Sequence, residues 1–310
     1  MCIFKIIKQK WKALLFVVRK TYRAYFTMAD TNKTLIPNKI YIKKLYEKKT
    51  GKKLNLKNPQ TFNEKLQWLK LYNRKPIYTT MVDKCLVKEY VSKIIGDKYI
   101  IPTIAVYDKP EDIDFEALPN RFVLKTTHDS GGVFVCKDKD KMDYDKVREF
   151  LQYRLSMNFY KTSREWPYKG VKRRIIVEKF IEDDLNPELR VYKVFNFNGT
   201  PKLIQMINGD KTDHEYINYY DVDWNLLELK QNFPNGPIDE KPRCLNEILA
   251  LSKKLSKDIP FVRTDFYEAQ GCVLFSEFTF FSDAGFANFE PEEWDLKLGN
   301  MLKLPNKKIK

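Results

Sequence analysis

The 310-residue sequence predicts an α+β fold with mostly antiparallel sheets, because strand-like and helix-like segments are interspersed along it. Residues 191–197 and 202–207 flank Asn198-Gly199, which is a strong hairpin signal. Residues 261–281 indicate a second hairpin. At 43% hydrophobic residues the chain can bury a large core, and its length is typical of about two domains.

The first part of the chain after residue 35 is predicted to be helical. Residues 36–74 form helices with loops between them, and Thr61 with Glu64 three residues on is a capping box that begins a helix. Residues 81–95 predict another helix, which Gly96 ends. Residues 100–106 are a short apolar strand candidate.

Strands separated by turns predominate from residue 122 onward. Residues 122–124 and 133–136 predict strands on either side of the turn residues 129–132. A helix over residues 144–157 precedes a strand at 174–177, and residues 246–255 predict a further helix.

The formal charge of +15 is concentrated at the N-terminus. Residues 1–60 hold sixteen Lys and Arg against Asp30 and Glu47, whereas the other 250 residues are balanced, with 40 basic and 39 acidic side chains. Proteins that bind nucleic acid usually carry their charge on the recognition face. No nucleic-acid partner is therefore expected.

The basic N-terminal arm has two interpretations. Its apolar run, residues 13–18, is too short for a signal peptide or a membrane span, so a cytoplasmic protein is expected. Residues 4–26 have the spacing of a basic amphipathic helix. Such a helix either lies on an anionic membrane, through residues 1–30, or packs on the body of the protein.

The cysteines and histidines exclude several kinds of site. The five cysteines are scattered and contain no Cys-x-x-Cys pair, which argues against zinc and against a disulfide framework. With only His128 and His214 available, a bound metal needs oxygen ligands, which favours Mg²⁺.

The hairpin at residues 261–281 carries the case for a metal. A three-residue loop, 269–271, pairs Glu268 with Cys272 and places Arg263, Asp265, Glu277 and Thr279 on one face. The opposite face is apolar and predicts core, with the side chains of Val262, Phe266, Leu274, Phe278 and Phe280.

In this register Asp265 and Glu277 are diagonal neighbours, roughly 7–8 Å apart, which lets two carboxylates share Mg²⁺. Arg263 is placed to hold carboxylate or phosphoryl oxygens with its planar fork. The alternative is an ordinary cross-strand ion pair between Arg263 and Glu277.

Three further segments suit a ligand that combines a polyphosphate with a purine. Lys125 ends an apolar strand before a flexible Gly-Ser loop, a combination that offers a fixed cation and a backbone open to close approach. Residues 178–181, at the end of a buried strand, can supply backbone groups to a purine edge. Lys84 and Lys88 lie four apart on one face of a predicted helix, from which Lys84 could reach phosphate. Each pattern also has an ordinary structural explanation. These are a hairpin turn for Lys125 and its loop, a strand end for residues 178–181 and a solvated helix face for the lysine pair.

The order of these segments resembles the ATP-grasp ligases. The motifs that carry the resemblance are Asp83-Lys84 with Lys88, Lys125 with its Gly-rich loop, Glu178-Lys179-Phe180-Ile181, and Arg263-x-Asp265 with Glu277-x-Thr279. Over residues 58–299 the chain is similar to the teichuronopeptide-biosynthesis (TupA-like) branch. The marks of that branch are Thr61-Phe62-Asn63-Glu64-Lys65-Leu66-Gln67-Trp68, Tyr99-Ile100-Ile101-Pro102, Lys125-Thr126-Thr127-His128 and Tyr220-Asp221-Val222-Asp223-Trp224.

The resemblance implies an ATP-grasp fold of two α+β subdomains that clasp ATP and Mg²⁺. The implied division is a basic helical arm (1–57), a helical region with a short strand (58–118), a small subdomain with a Gly-rich lid (119–182) and a C-terminal subdomain with the metal site (183–310).

The resemblance also assigns roles to residues. The implied phosphate-binding lysines are Lys84 and Lys125, with Lys193 as a further phosphate or ribose contact; Gly131 and Gly132 belong to the lid; and Glu178, Lys179, Phe180 and Ile181 form the adenine hinge. The implied metal ligands are Asp265 and Glu277, with Thr279 where many members have asparagine, and the catalytic residues are Arg263 and Lys125. Asp129 stands where glycine is usual, and an acidic group beside a triphosphate is unfavourable unless it points away.

The function implied is a carboxylate–amine ligase that forms ADP through an acyl phosphate. For the TupA-like branch the implied setting is bacterial surface polysaccharide, with a sugar acid, small or lipid-linked, as the carboxylate and an amine or amino acid as the second substrate. A glycosyltransferase remains an alternative, because Asp221-Val222-Asp223 and Asp138-Lys139-Asp140 match its Asp-x-Asp metal motif. A non-enzymatic scaffold that holds a membrane through the basic arm is another.

Overall fold

The computed structural model describes residues 36–183, 189–208 and 216–306. The predicted helix at residues 4–26 lies outside these ranges. The described helices are α1 (Asn38–Thr50), α2 (Phe62–Tyr72), α3 (Ile77–Val82), α4 (Leu86–Ile95), α5 (Tyr144–Ser156), α6 (Phe159–Ser163), α7 (Leu245–Leu255) and α8 (Glu293–Met301). Within the described ranges, none of the helices has the length and apolar character needed to cross a bilayer.

The strands confirm the predicted α+β class. They are β1 (Thr103–Tyr107), β2 (Phe122–Thr126), β3 (Val133–Cys136), β4 (Ile175–Lys179), β5 (Arg190–Phe197), β6 (Thr200–Asn208), β7 (Tyr216–Asp221), β8 (Lys230–Gln231), β9 (Phe261–Ala269), β10 (Cys272–Thr279) and β11 (Phe289–Glu290). The small sheet has the order β1-β4-β2-β3 and the large sheet β10-β9-β5-β6-β7, and both are antiparallel.

Each sheet has its own hydrophobic core. The small sheet packs one face on α5, where Phe122, Leu124 and Val177 are buried with Leu151. The large sheet buries apolar residues against the helices of the N-terminal region. Phe62 of α2, for example, lies at ring-centroid distances of 4.8 Å from Phe261 and 5.7 Å from Phe197. Two lobes result, and their sheets face a common cleft.

Two local predictions from the sequence, a helix cap and a hairpin turn, are confirmed. Thr61 and Glu64 form the capping box that begins α2. Asn198 and Gly199 both have positive φ, 49° and 78°, and connect β5 to β6 as a two-residue turn.

The predicted helix over residues 81–95 is wrong in one respect, because the chain breaks between α3 and α4. Asp83 Oδ1 accepts hydrogen bonds from the N–H groups of Cys85 and Leu86, and this turn begins a new helix at Leu86. Lys84 therefore lies in a turn, and Lys84 and Lys88 do not share a helix face.

The register predicted for the β9–β10 hairpin is also wrong. The loop has two residues, Gln270 and Gly271, with φ of 53° and 73°, so Ala269 pairs with Cys272. A β-bulge at Ser276 then shifts the register by one more residue.

The new register changes which side chains are core. Phe275 and Val273 are buried and Leu274 is only half-buried, the reverse of the expectation for Leu274. Beyond the bulge the predicted faces hold, and Asp265 lies directly opposite Glu277 while Arg263 lies opposite Thr279.

Candidate active site

The two sheets enclose a cleft of about 310 Å³. Six predicted site residues line it together: Lys84, Lys125, Glu178, Lys193, Asp265 and Glu277. The other predicted residues, which are Gly131, Gly132, Lys179, Phe180, Ile181, Arg263 and Thr279, lie outside this lining.

The carboxylate pair lies on the floor of the cleft. Asp265 and Glu277 are direct cross-strand partners, a relation that places their Cβ atoms about 4.5–5.5 Å apart. Asp265 is 2% exposed, whereas the Glu277 side chain is 42% exposed. Lys193 on β5 is the direct partner of Asp265 on its other side.

Arg263 lies behind this pair. Its Nε and Nη2 donate to Asp265 Oδ1 and Oδ2 at 2.8 and 2.7 Å, a bidentate ion pair, and Glu277 Oε1 is 3.8 Å from Nη2. Burial by itself lowers the pKa of Arg263, but the Asp265 and Glu277 carboxylates raise it above its ordinary value. Arg263 is therefore a permanent cation at this end of the site.

The pair fits a hard divalent cation. Burial raises the pKa of Asp265, the Arg263 guanidinium opposes that shift, and the charge of Glu277 adds to it. A cation between the two carboxylates relieves their repulsion. Within the described ranges no three His, Cys, Asp or Glu side chains cluster as a metal site, so the remaining ligands would be oxygens from elsewhere, as Mg²⁺ accepts from substrate phosphates.

Two lysines converge on one glutamate across the cleft. Glu178 accepts from Lys125 Nζ at 2.5 Å through Oε2 and from Lys88 Nζ at 2.6 Å through Oε1. Burial by itself lowers the pKa of Lys125, but Glu178 raises it well above its ordinary value. Burial lowers the pKa of Lys88, against the opposing charge of Glu178.

Lys88 was noted in the sequence only as the lysine four residues after Lys84, and no role in the site was predicted for it. The signal that can find it is Glu178 itself, because a glutamate in a buried strand needs a cationic partner. Glu178 was predicted to be part of an adenine hinge, and the structure places its side chain in the cleft as the partner of both lysines.

The rest of the hinge follows the end of β4. Lys179 N donates to Pro102 O at 3.0 Å, Lys179 is exposed, and Phe180 and Ile181 are half-buried. Their assignment to adenine stays a prediction.

Apolar walls complete the cleft, and sequence reasoning missed them. Val133 and Val135 of β3 are 40% and 46% exposed and line the cleft together with Val191 and Phe275 of the large sheet. Exposed branched side chains around a few fixed charges are typical of small-molecule sites.

The Gly-rich loop between β2 and β3 depends on its glycines. Gly131 has φ of +88°, and a Cβ at Gly132 would lie 1.7 Å from Thr126 Oγ1. Lys84 Nζ donates to Asp129 O at 2.6 Å, which joins the loop to the cleft.

A further buried lysine, on α2, was also missed by sequence reasoning. Lys70 is fully buried, and its Nζ donates to Ser163 O at 3.0 Å and to Ala284 O at 2.7 Å. Ala284 belongs to the turn Ser282–Gly285, in which Asp283, Ala284 and Gly285 all have positive φ. Lys70 thus supports the turn that follows Thr279.

The Asp-x-Asp motifs have other roles. Asp221 Oδ1 accepts from the N–H groups of Asp223 and Asn225, and Oδ2 accepts from the Asn225 amide, so this carboxylate stabilises a turn. Asp138 caps the turn Lys139–Lys141 and pairs with Lys141 at 2.8 Å.

Two α+β lobes, with Lys125 of the small sheet in one cleft with Asp265 and Glu277 of the large sheet, define the ATP-grasp class of fold. A family model described as TupA-like ATP-grasp matches residues 64–303, and the chain belongs to that family. Members of the ATP-grasp class bind ATP with Mg²⁺.

Solved structures of ATP-grasp proteins are similar at low identity. D-alanine–D-alanine ligase from Bacillus anthracis, complexed with ATP, is 20% identical with a TM-score of 0.37, over 64% of this chain and 55% of that one. The enzyme of the same name from Helicobacter pylori is 16% identical with a TM-score of 0.40, over 78% and 69%.

A RimK domain ATP-grasp protein from Sphaerobacter thermophilus is 12% identical with a TM-score of 0.41, over 74% and 70%. The chain spans little more than half the length of the Bacillus anthracis ligase. A comparison with curated proteins finds no match.

Proposed function

We propose that the protein is an ATP-dependent ligase that joins a carboxylate to an amine through an acyl phosphate and forms ADP. One observation carries the proposal: a single cleft is lined by Lys125 of the small sheet, by Lys88 of α4 and by the carboxylates of Asp265 and Glu277 of the large sheet, and Arg263 pairs with Asp265. Cations for a polyphosphate and oxygen ligands for a metal are thereby combined in one site.

Each group has a task in this scheme. Bound ATP with Mg²⁺ supplies the phosphoryl group and neutralises charge during its transfer. Lys125, Lys84 and Lys193 hold phosphate oxygens, while Asp265 and Glu277, with Thr279 nearby, provide oxygen ligands for the metal. Arg263 neutralises the reacting carboxylate and the phosphoryl oxygens. Gly131 and Gly132 shape the lid, and residues 178–181 with Val133 and Val135 receive the adenine.

The reaction balances with two substrates. A carboxylate oxygen attacks the γ-phosphorus and ADP leaves, and the amine nitrogen then attacks the acyl carbon. Inorganic phosphate leaves as the C–N bond forms, and the amine loses a proton. Catalysis of this kind depends on positioning and electrostatics, so no nucleophilic side chain is required.

We extend the proposal to the substrates from the family. The carboxylate is a sugar acid, small or lipid-linked, of a bacterial surface polysaccharide, and the second substrate is an amine or amino acid. The cytoplasmic face of the membrane suits such a reaction, and the sixteen Lys and Arg of residues 1–60 suit an anionic lipid surface.

The reaction is tested by trapping. Purified protein is incubated with Mg·ATP, a panel of uronic acids and hydroxylamine, which replaces the natural amine and converts an acyl phosphate into a hydroxamate. ADP, phosphate and hydroxamate in equal amounts are expected. AMP and pyrophosphate would show adenylation instead, and turnover only with a sugar nucleotide would show a glycosyltransferase.

The membrane contact is tested separately on vesicles that contain anionic phospholipid. We expect binding to fall as salt rises, because surface charges are screened within about 10 Å at 0.1 M salt, and to vanish when residues 1–30 are deleted. Equal binding by the truncated protein would show that residues 1–30 do not hold the protein on the membrane.

A further inference from the structure

The Gly-rich loop carries an acidic residue, Asp129, next to the proposed polyanion site. The loop is next to the cleft, because Asp129 O accepts from the cleft residue Lys84, and a polyanion is proposed to bind there. A carboxylate in such a loop repels phosphate unless its charge is neutralised. The Asp129 side chain is 1% exposed, so water cannot screen it.

Arg154, on α5 behind the loop, neutralises this carboxylate. Its Nε donates to Asp129 Oδ2 at 2.7 Å, and Nη2 lies 2.5 Å from the same oxygen. The same Nη2 is 2.5 Å from Ser130 O, and Thr126 Oγ1 donates to Asp129 Oδ1. Arg154 therefore holds both the charge and the backbone of the loop.

The loop is held from two sides. Arg154 binds Asp129 and Ser130 from α5, and Lys84 Nζ binds Asp129 O from the cleft. Thr126 N also donates to Gly132 O at 2.8 Å, which closes the base of the loop.

We propose that Arg154 is a positioning residue of the nucleotide site, which shields bound phosphates from the Asp129 carboxylate and pins the Gly-rich loop against α5. This inference rests on the proposed function, because it needs ATP to bind in the cleft. Arg154 touches neither the cleft nor the reacting atoms and acts through Asp129.

A double-mutant cycle separates the shield from mere structural support. The dissociation constant of Mg·ATP is measured by calorimetry for wild type, Arg154→Gln, Asp129→Asn and the double variant. Arg154→Gln removes the ion-pair partner of the buried Asp129 carboxylate and should weaken binding about tenfold to thirtyfold, with Lys84 still bonded to the Asp129 carbonyl. Asp129→Asn keeps an oxygen for Thr126 and should bind within about threefold of wild type.

The double variant decides the matter. Because it carries no charge on either residue, it should recover to within about threefold to fivefold of wild type. If it binds as weakly as Arg154→Gln, the arginine is only structural and the proposal is overturned. Arg148→Gln, on the same helix and packed over Phe115 at 4.9 Å, is the matched control and should leave binding unchanged.

The charge of the nucleotide provides a second readout. The penalty of Arg154→Gln should decrease from ATP to ADP and be absent for adenosine, whereas a distorted loop would weaken all three. If Arg154→Gln fails to fold, Arg154→Lys keeps the charge with fewer donors and should show a smaller penalty with the same dependence on phosphate number. Failure of wild type to bind ATP would refute the proposed function itself, whereas normal ATP binding with a non-compensating cycle would refute only the role of Arg154.

Discussion

At the residue scale, Lys125 tests the nucleotide site most directly. It is a buried cation that reaches the cleft from β2, and Lys125→Ala removes a charge-assisted contact of roughly 1.5–3 kcal/mol to phosphate. The dissociation constant of Mg·ATP measured by calorimetry should rise by the factor that corresponds to this loss of binding free energy. Lys146→Ala, whose side chain is 81% exposed on α5, should bind ATP as wild type does. An unchanged affinity for Lys125→Ala would remove the residue from the site.

The two carboxylates are not equivalent as tests of the metal site. Glu277 is partly exposed, so Glu277→Gln should keep the fold and abolish ADP release in the trapping assay. Asp265→Asn should abolish turnover as well, but it also breaks a buried bidentate pair with Arg263, which costs about 3–5 kcal/mol of stability. Thermal unfolding of both variants separates the two effects. Full turnover by Glu277→Gln would show that Asp265 and Glu277 only form ion pairs with Arg263 within the sheet and do not hold a metal.

At the scale of elements, the loop between β2 and β3 is limited by space. A Cβ at Gly132 would lie 1.7 Å from Thr126 Oγ1 and 2.6 Å from Asp129 Oδ1, so Gly132→Ala must displace the hydroxyl that bonds Asp129. We expect destabilisation of about 1–3 kcal/mol in urea denaturation and weaker ATP binding. Gly170→Ala is the control, since its Cβ meets only Thr79 at 3.8 Å. Equal stabilities of the two variants would contradict this account.

At the scale of the whole molecule, Lys70 joins three parts of the chain that are distant in sequence. Lys70→Met removes the lysine donor from the Ser163 carbonyl, at about 1–3 kcal/mol, whereas the Ala284 carbonyl keeps a hydrogen bond from Gln67 Nε2 at 3.0 Å. Lys65 makes two similar bonds, to Gly299 O and Leu302 O, from a less buried position, so Lys65→Met should cost less. Urea denaturation measures both, and a larger loss for Lys65→Met would be contrary to the expectation.

The same lysine should contribute a pH dependence of stability. Burial lowers the pKa of Lys70 from 10.5 to about 8, with the nearby Glu165 carboxylate opposing the shift. Between these values the unfolded chain binds the proton and the folded chain does not, so stability rises with pH in this window. The difference in unfolding free energy between wild type and Lys70→Met should therefore grow from about pH 8 to 10.5. A constant difference across that window would show that Lys70 does not titrate there.

The β9–β10 hairpin shows why part of the site could not be predicted. The strand pattern and an assumed three-residue loop predicted two strands with Arg263, Asp265, Glu277 and Thr279 on one face, and the structure confirms that face. The two-residue turn and the bulge at Ser276 were not predicted. Phe275 forms a bridge with Ile100, so the pairing of β10 depends partly on a segment far away in the sequence. A register shift of one residue moves side chains to the opposite face, which is why Leu274 was misplaced.

The sequence by itself determined what local chemistry decides: the α+β class, the capping box at Thr61, the Asn198-Gly199 turn and the set of lysines and carboxylates available to a site. These follow from backbone preferences within a few residues. Only the tertiary structure decided which charges meet, because ion pairs form between elements distant in sequence. It placed Glu178 between Lys88 and Lys125, and Arg154 behind Asp129. Burial then makes those pairings strong, since few water molecules remain to screen them.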